Sequence, residues 1–368
     1  MLERTQCVGI DVRMAQHTGI GRYIRGTVSA LRNDSSRQRY LLIGNEFSRR
    51  YFPPQISFVT TDVPIYSLRE QIALPYLARS VDCLHVPHYN APLLWKKKLV
   101  VTIHDLIHLH FTNHLNSPTA RLYARFMFSR VTQRADAIIA VSEYTKKDLI
   151  ETLGIHPKKI TVIHHGLDSD FLATSEKPSD VPQKRSTYFL YVGMLKAHKN
   201  VGTLIKAFQG LKKKLGSSSL KLFLIGTPDF KQKIVRKWLE IIAQEPDISL
   251  ASKVSDSELK NFYRNAIALV FPSLCEGFGF PLLEAMASQT PIIASRVTST
   301  PEVLGETAGL YFDPQSTFDL QNCMEQILEN SDLRHHLVQE GLKRLMLFDW
   351  NSAAKKTEQI YESVLGSN

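Results

Sequence analysis

The chain has 368 residues, of which 43% are hydrophobic and 22% charged, so it is long enough for two domains and has the composition of a folded globular protein. It contains no run of eighteen apolar residues and its first residues lead directly into a strand pattern, so we expect no membrane span and no signal peptide, and predict a cytoplasmic protein. The net charge of +10 lies mostly in residues 1–170, with 22 Lys and Arg against 14 Asp and Glu, and such a basic half suits a phosphorylated acceptor, an anionic membrane surface or nucleic acid. No basic helix with interleaved aromatic residues accompanies the charge, so nucleic acid ranks last and we expect no nucleic-acid partner.

The N-terminal residues predict a strand, a loop with two glycines and a helix. Residues 7–12 are apolar enough for a buried strand, and Gly19 and Gly21 bracket the loop before a helix from about residue 21 to 32. Such a junction accepts anions at the helix N-terminus. A tight turn that needs positive φ explains the glycines equally well, because their spacing falls short of GxGxxG.

The rest of the first half alternates strand and helix patterns. Strands are predicted at 40–43, 56–60, 83–86, 99–103 and 137–141, and helices around 68–79, 118–134 and 144–153. This alternation predicts a parallel, doubly wound α/β sheet, whose ligands bind at the carboxyl ends of the strands. His104 lies at such an end. The exposed-looking segment from Trp95 to Lys98 predicts peripheral association with an anionic membrane.

Three features resemble metal or disulfide sites without their usual spacing. His104, His108 and His110 lie close together, but no carboxylate at metal-ligand spacing accompanies them. Residues 168–170 form a DxD sequence that a chance acidic turn explains better. The four cysteines show neither CxxC nor metal-ligand spacing. We therefore expect no metal and no disulfide framework.

A second βα series follows a polar, proline-containing linker at residues 171–186. It begins with the strand YFLYVG at Tyr188, continues through the loop MLKAHKN and enters a helix over 201–215. Lys199 lies in that loop. A flexible ammonium group at a strand end suits a diphosphate, so Lys199 is a candidate phosphate ligand.

The most informative stretch is FPSLCEGFGFPLLEAMA, residues 271–287. An apolar strand runs into a glycine-rich turn, and a helix pattern restarts at Pro281, so the junction offers backbone N–H groups and the positive end of a helix dipole to a phosphate. Gly277 and Gly279 let that backbone approach a ligand. Glu276 lies in the turn and Glu284 one turn inside the helix, which suits a ligand with hydroxyl groups on both sides of a phosphate, as in a sugar nucleotide.

The sequence EGFGFPLLEAMA resembles the donor-site signature of the retaining GT-B glycosyltransferases of family 4. TGIGRY, TIHDL, LHVPHYNAPL, AVSEYTKKDL and KITVIHHGLD resemble landmarks of its mannosyltransferase-like members in the same order. The resemblance implies two doubly wound Rossmann-like domains that face each other across a cleft. Residues 1–170 with 349–368 would form the acceptor-side domain, because FDWNSAAKKTEQIYESVL resembles the segment that crosses back in this fold, and 187–348 the sugar-nucleotide domain.

The resemblance also implies roles for individual residues. Glu276 would hold the transferred sugar, His104 would contact the donor sugar or the acceptor, and Lys199 would bind the diphosphate. Glu284 would hold the ribose. Further substrate contacts would come from the two N-terminal glycines, from residues that line the nucleobase and phosphate sites, and from the backbone after Glu276: Gly19, Gly21, Gly193, Gly226, Val254, Gly277, Phe278, Gly279, Phe280 and Leu282.

Three positions depart from the family pattern. Met194 replaces a frequent arginine, which removes one diphosphate contact unless Lys196 or His198 supplies it. Ser252 and Gln289 replace usual glycines, which either alters base selectivity or reflects packing.

The resemblance implies retaining transfer of a hexose, with mannose from GDP-mannose as the first candidate. The acceptor would be a glycan or a lipid-linked saccharide of a surface polysaccharide, and neither metal nor cofactor would be needed beyond the sugar-nucleotide co-substrate. Two alternatives stay open. A sugar-nucleotide 2-epimerase of the same fold would need an acid–base set at the sugar C2, and a non-catalytic partner subunit would only bind the sugar nucleotide. The sequence leaves the oligomeric state open.

Overall fold

The computed structural model describes residues 6–31, 38–111, 118–168, 171, 187–216 and 219–366. The chain divides into two compact units. The first comprises residues up to Gly166 together with Phe348 onward, and the second comprises Leu167–Leu347. Phe171 is buried at 4% exposure, and the rest of the predicted linker, residues 172–186, lies outside the described residues.

The first unit contains a seven-stranded sheet with the order β3-β2-β1-β4-β5-β6-β7. Every described pairing in it is parallel. The inner strands at 83–86 and 98–103 are mostly apolar and buried, as parallel strands covered by helices on both faces must be, whereas the edge strand at 57–60 is partly exposed. The strands are β1 (Gln6–Asp11), β2 (Gln38–Gly44), β3 (Ser57–Thr60), β4 (Cys83–Val86), β5 (Lys98–Ile103), β6 (Ala137–Ala140) and β7 (Ile160–Val162).

Helices connect these strands as the sequence pattern predicts. The Ser142 hydroxyl caps one of them by accepting the Thr145 N–H at 3.0 Å. Within the described residues of this part of the chain, the helices are α1 (Gly19–Ala30), α2 (Glu46–Arg49), α3 (Glu70–Leu77), α4 (Ile107–His110), α5 (Pro118–Arg134) and α6 (Glu143–Leu153).

The second unit contains a six-stranded parallel sheet with the order β10-β9-β8-β11-β12-β13. Its strands are β8 (Tyr188–Val192), β9 (Lys221–Ile225), β10 (Ile248–Ala251), β11 (Ala268–Phe271), β12 (Ile292–Ser295) and β13 (Leu310–Phe312). Its helices, among the described residues, are α7 (Val201–Leu215), α8 (Lys233–Gln244), α9 (Asp256–Asn265), α10 (Phe280–Ala287), α11 (Thr300–Leu304), α12 (Thr317–Glu329) and α13 (Ser331–Leu345). Ser255 and Glu258 form a capping box at the start of α9.

The last helix, α14 (Trp350–Gly366), belongs to the first unit. Trp350 is 7% exposed and its ring lies 6.3 Å from that of Tyr23 on α1. A Cβ at Gly26 would lie 2.1 Å from the Trp350 ring, so α1 can approach α14 only because Gly26 has no side chain. Trp350 is therefore a packing residue that joins α14 to α1.

In each sheet the strand order reverses beside the first strand of the unit. β1 lies between β2 and β4, and β8 lies between β9 and β11. In doubly wound sheets the ligand binds at the carboxyl ends of the strands next to this switch point. The segments that follow β1 and β4 in the first unit, and β8, β9 and β11 in the second, are therefore where a site is expected.

Candidate active site

The turn after β11 carries a carboxylate–ammonium pair. Glu276 Oε1 accepts hydrogen bonds from Lys199 Nζ at 2.6 Å and from Ser273 Oγ at 2.5 Å. The Lys199 and Glu276 side chains are 20% and 9% exposed, so the pair lies at the boundary between core and solvent. Lys199 ends the short 3-10 turn Ala197–Lys199 that follows β8. Because an ammonium group has three donor hydrogens, Lys199 can hold Glu276 and still bind an anionic oxygen.

The loop after β12 holds this turn in place through two hydroxyl side chains. Glu276 N–H donates to Thr298 Oγ1 at 3.0 Å, and Ser299 Oγ donates to the carbonyls of Glu276 at 2.9 Å and Phe278 at 3.2 Å. Thr298 does so with φ of 49°, in the left-handed region that a β-branched residue rarely adopts. The backbone around Glu276 is thus fixed by contacts from a neighbouring strand end.

The ends of β8 and β9 approach each other at two glycines. Gly193 N–H donates to Ile225 O and Gly226 N–H to Ala251 O, both at 2.9 Å. Gly226 has φ of 149°, and a Cβ there would lie 2.0 Å from the Gly193 carbonyl oxygen. Only glycine fits at Gly226. Val254, the other residue predicted to line the base site, is half-buried just before α9.

Helix α10 begins directly after the glycine turn. Its N-cap is Gly279, with φ of 110°, which has no side chain to cap the helix. The positive end of the helix dipole therefore faces the turn without a capping side chain, which favours an anion there. Phe278 is buried at 4% exposure and Phe280 is half-buried, whereas the Leu282 side chain is fully buried, so any contact of Leu282 with a ligand falls to its backbone.

Glu284 lies one turn inside α10, as predicted. It is only 2% exposed, and its Oε2 accepts a hydrogen bond from the hydroxyl of Tyr263 at 2.6 Å. Tyr263 on α9 is itself fully buried. The hydroxyl thus orients a carboxylate that would otherwise be costly to bury.

His104 follows β5 in the first unit. Its Nε2–H donates to the Pro87 carbonyl at 3.1 Å, and its ring meets that of Tyr23 edge to face at 5.1 Å. Burial lowers the pKa of His104 to about 4, so the ring is neutral near pH 7 and its Nδ1 is an acceptor. A neutral imidazole can accept a hydroxyl proton.

A buried ionic network lies at the same carboxyl edge. Arg13 donates to Asp11 through Nε at 2.9 Å and Nη2 at 2.7 Å, and to Glu70 Oε2 through Nη1 at 3.2 Å. Glu70 also accepts from Asn90 Nδ2. Asp11, Arg13, Glu70 and Asn90 are each 4% exposed or less.

Comparisons with known proteins agree with this geometry. Residues 18–171 match the family model of Glycosyltransferase Family 4, and residues 174–344 match that of glycosyl transferases group 1. The O-antigen chain mannosyltransferase RfbU of Salmonella typhimurium is 32% identical over 73% of this chain and 70% of that protein. The chain belongs to the family 4 glycosyltransferases.

Among solved structures, this glycosyltransferase is similar to sucrose-phosphate synthase from Thermosynechococcus elongatus (TM-score 0.77, 20% identity, 99% of this chain and 100% of that one). It is also similar to Anabaena HepE in complex with UDP-glucose (TM-score 0.77, 17% identity, 97% and 99%). Both show that the fold is GT-B.

Two details of the glycosyltransferase's first loop differ from prediction. Gly19 and Gly21 are the first and third residues of α1 rather than loop residues, and neither has positive φ. A Cβ at Gly21 would lie 2.5 Å from the Ala15 carbonyl oxygen, whereas one at Gly19 would meet nothing within 4 Å. Gly21 is therefore explained by close packing of α1 on the preceding turn, which hydrophobic spacing does not reveal.

The prediction that the Trp95–Lys98 segment is exposed is wrong in part. Trp95 is 4% exposed, and its indole N–H donates to the Lys98 carbonyl at 2.8 Å. Lys97 Nζ donates to the carbonyls of Arg79 and Val81. These contacts fix the segment against the first unit, and the sequence gives no sign of them.

The sequence features considered as metal sites do not form one in the part of the glycosyltransferase that is described, where no three His, Cys, Asp or Glu side chains gather as a metal would require. His110 instead pairs with Asp148 at 2.7 Å. Two residues of the DxD, Ser169 and Asp170, lie outside the described residues. Of the helices that are described, none is both long enough and apolar enough to cross a bilayer.

Sequence reasoning missed the residues that position the two glutamates. Ser273, Thr298 and Ser299 surround Glu276, and Tyr263 orients Glu284. The run of hydroxyl residues at 298–300, separated from the end of β12 by two residues, was the available signal for two of them. No sequence signal identifies Tyr263, which lies 21 positions before its partner.

Proposed function

We propose that this glycosyltransferase transfers mannose from GDP-mannose to a saccharide acceptor, glycan or lipid-linked, in O-antigen-type polysaccharide synthesis, with retention of configuration. The observation that carries the proposal is the Glu276–Lys199 pair beside the N-terminus of α10. The RfbU relative, described as an O-antigen chain mannosyltransferase, supports the choice of sugar.

The proposed chemistry needs only residues of the chain. As the bond between the sugar C1 and the diphosphate breaks, negative charge develops on the leaving phosphate, where the Lys199 ammonium and the N-terminus of α10 would stabilise it. No metal is required for this stabilisation, and no cofactor takes part beyond the sugar nucleotide. Glu276 would contact the transferred sugar and Glu284 the ribose, while His104 would accept a hydrogen bond from the sugar or the acceptor.

Steady-state kinetics of three variants test these roles. Glu276→Gln should lower kcat by about 100-fold or more, because the contact matters where charge develops. Glu284→Gln should chiefly raise KM for the donor, since a ribose contact is equal before and during reaction. His104→Ala should behave like Glu276→Gln. Glu306→Gln, which removes a 68% exposed carboxylate of the same unit, is the control and should change neither constant.

Calorimetry with GDP separates the proposed ligand orientation from its opposite. GDP carries ribose but no sugar, so Glu284→Gln should weaken its binding while Glu276→Gln leaves it intact. The reverse result would contradict the orientation.

The nucleotide itself is tested by thermal denaturation with GDP, UDP, dTDP and ADP, in which GDP should raise Tm most. A larger shift with UDP would contradict GDP-mannose as donor.

We also propose that the first unit binds an anionic membrane surface at the cytoplasmic side. Leu68, Ile72 and Tyr76 are 85%, 70% and 64% exposed, and the last two lie four residues apart on one face of α3. Arg79 stacks on Tyr76 at 4.3 Å, and Arg69 is exposed beside them. Apolar side chains flanked by arginines suit the interface of an anionic bilayer.

Flotation with vesicles that contain phosphatidylglycerol tests the membrane proposal at low salt. The double variant Ile72→Ser/Tyr76→Ser should lose most of the bound fraction, whereas Phe230→Ser, at a 62% exposed residue of the second unit, should retain it. Equal binding by both variants, or no binding by the unaltered protein, would rule the surface out.

A further inference from the structure

Tyr66 has an unfavourable backbone conformation on the surface of the first unit. Its φ is 61°, in the left-handed region that large side chains avoid, and its side chain is 42% exposed. It lies in the loop after β3, at the carboxyl edge of the sheet. An exposed aromatic residue held in a costly conformation at a ligand-binding edge is more often functional than accidental.

The buried ionic network lies at the start of α3, four residues beyond Tyr66. There the Glu70 carboxylate accepts from Arg13 Nη1 at 3.2 Å and from Asn90 Nδ2. Asn90 Oδ1 in turn accepts from the Tyr123 hydroxyl at 2.5 Å. These bonds join four separate segments of the chain, so the segment that directly follows Tyr66 is fixed to the core.

Other rings extend the surface that Tyr66 presents. The Tyr66 ring lies 5.8 Å from the ring of Tyr89 and 6.1 Å from that of His88. Tyr89 stacks on the buried Phe128 with centroids 4.0 Å apart and planes 18° apart. The three rings Tyr66, His88 and Tyr89, here called the edge array, are thus anchored from below by core packing.

The edge array also has an unused hydrogen-bond donor. His88 Nδ1 accepts the Asn90 backbone N–H at 3.0 Å, so in the neutral ring the proton is on Nε2. His88 is 2% exposed, and among the described residues its Nε2 has no hydrogen-bond partner; Asp11 Oδ2 is 3.8 Å away, beyond hydrogen-bond distance. A buried donor without a partner is costly, and a polar ligand would satisfy it.

We propose that Tyr66 is the stacking platform for a pyranose ring of the saccharide acceptor. This rests on the proposed function. The face of an aromatic ring is negative and the C–H bonds of a pyranose are weakly positive, so the sugar would lie with its C–H face on Tyr66. Its hydroxyl groups would bind the hydroxyls of Tyr66 and Tyr89 and the imidazole of His88. The ligand is the acceptor and not the donor, because the phosphate-binding elements proposed for the donor belong to the second sheet.

Saturation-transfer NMR without any donor tests the platform. The probes are methyl α-D-mannopyranoside, methyl α-D-glucopyranoside and methyl β-D-galactopyranoside. The unaltered protein should transfer saturation to the ring C–H protons of at least the mannoside. Tyr66→Phe should retain the transfer, and Tyr66→Ala should reduce it about tenfold or more. Tyr66→Gly removes the same ring but adopts a φ of 61° without strain, so it excludes misfolding as the reason for a loss.

Tyr51→Ala is the matched control, since Tyr51 is a 46% exposed tyrosine of the same unit outside the edge array. It should transfer saturation as the unaltered protein does. The proposal is overturned if the unaltered protein gives no transfer to any of the three pyranosides, or if Tyr66→Gly retains it. The acceptor KM should rise in Tyr66→Ala while the donor KM stays constant. If the NMR results hold but no nucleotide sugar is used, the proposed function fails and the platform stands.

Discussion

The carboxyl edges of the two sheets are built in opposite ways. At the first, the end of β1 and the start of α3 carry buried charged side chains, with Arg13 between Asp11 and Glu70. At the second, the ends of β8 and β9 meet at Gly193 and Gly226, and the turn after β11 is held by hydroxyl groups. The first edge fixes side chains, which suits recognition of a variable acceptor. The second exposes backbone, which suits a phosphate that every donor shares.

Burying the charges of the first edge costs free energy, so each of them needs an oppositely charged partner. Burial by itself would raise the pKa of Asp11, but the Arg13 guanidinium holds it well below its usual range. For Glu70 burial dominates and raises the pKa to about 7, although Arg13 opposes it. A buried ion pair contributes little net stability when intact and costs much when one partner is lost.

The largest expected effect therefore follows removal of a carboxylate at the first edge. Asp11→Asn should destabilise the first unit by about 3–5 kcal/mol, because Arg13 is left buried without its main partner. Glu276→Gln at the second edge should cost only about 1 kcal/mol, since Lys199 is 20% exposed and an amide oxygen can still accept its hydrogen bond. Urea unfolding measures both.

Tryptophan fluorescence can report each unit separately in that experiment. Trp95 and Trp350 lie in the first unit and Trp238 in the second, and these three are all that the sequence contains. In a Trp238→Phe background the signal comes from the first unit alone. Equal losses of stability from Asp11→Asn and Glu276→Gln would contradict the contrast between the edges.

The second expected effect is that the first unit loses stability in mild acid. Burial lowers the pKa of His85 to about 3 and of His104 to about 4, and also lowers that of His165. Below pH 6.5 the unfolded chain gains protons that these native rings cannot, which costs about 2 kcal/mol per histidine at pH 5. Glu70 acts oppositely, because its raised pKa gives stability that is present below about pH 4.5 and lost as the pH rises through 7.

Between pH 7.5 and 5 the destabilisation from the three histidines should exceed the stabilisation from Glu70. The free energy of unfolding of the first unit should therefore fall by about 4 kcal/mol. Unfolding of the Trp238→Phe variant across this range measures it. In Glu70→Gln the opposing contribution is gone, so its stability should fall more steeply, by about 6 kcal/mol over the same range. If the variant and the parent lose the same stability over this range, Glu70 is ionised throughout it in the native protein.

The third effect concerns glycine at the second edge. Gly226→Ala should destabilise the second unit by about 2–3 kcal/mol, because the new Cβ has an unfavourable φ and would lie 2.0 Å from the Gly193 carbonyl oxygen. Gly216→Ala is the control, with φ of 69° and no atom within 4 Å of the new Cβ. It should cost only about 1 kcal/mol. Fluorescence of Trp238 during urea unfolding compares them, and equal costs would mean that the backbone at Gly226 yields without penalty.

The fold could be predicted from the sequence to within a few residues at most boundaries. Cys83–Val86 and Val201–Leu215 have the predicted ends, since each is an apolar pattern bounded by polar or glycine residues. The strand order could not be predicted, because it depends on pairings such as Val8 with Cys83 that are distant in sequence. The local sequence pattern determines where helices and strands form, whereas the order of the strands in a sheet depends on how those elements pack together.

The candidate site also has features that the local sequence predicts and features that depend on residues distant in the chain. Glu276, the glycine turn and α10 are contiguous, so their spacing alone predicted the junction. The contact between Lys199 and Glu276 joins residues 77 positions apart, and only the roles of the two, not their pairing, could be predicted. Tyr66 was missed altogether, because nothing local indicates that a tyrosine will adopt a left-handed backbone.

The smallest expected effect tests whether the hydroxyl contacts at the second edge serve position rather than stability. Thr298→Val keeps the shape and the β-branch of Thr298 but cannot accept the Glu276 N–H, so stability should fall by only about 1 kcal/mol. If that contact positions Glu276, kcat should fall about tenfold while the donor KM and the affinity for GDP stay constant. Thr298→Ser retains the oxygen and should keep kcat near the parent value. Thr307→Val, which removes the hydroxyl of an exposed threonine bonded to Glu340 in the same unit, should change neither kcat nor KM. A kcat that falls equally in the serine and valine variants would assign the effect to the lost branch or methyl packing, and the role of the Thr298 hydroxyl in holding Glu276 would have to be abandoned.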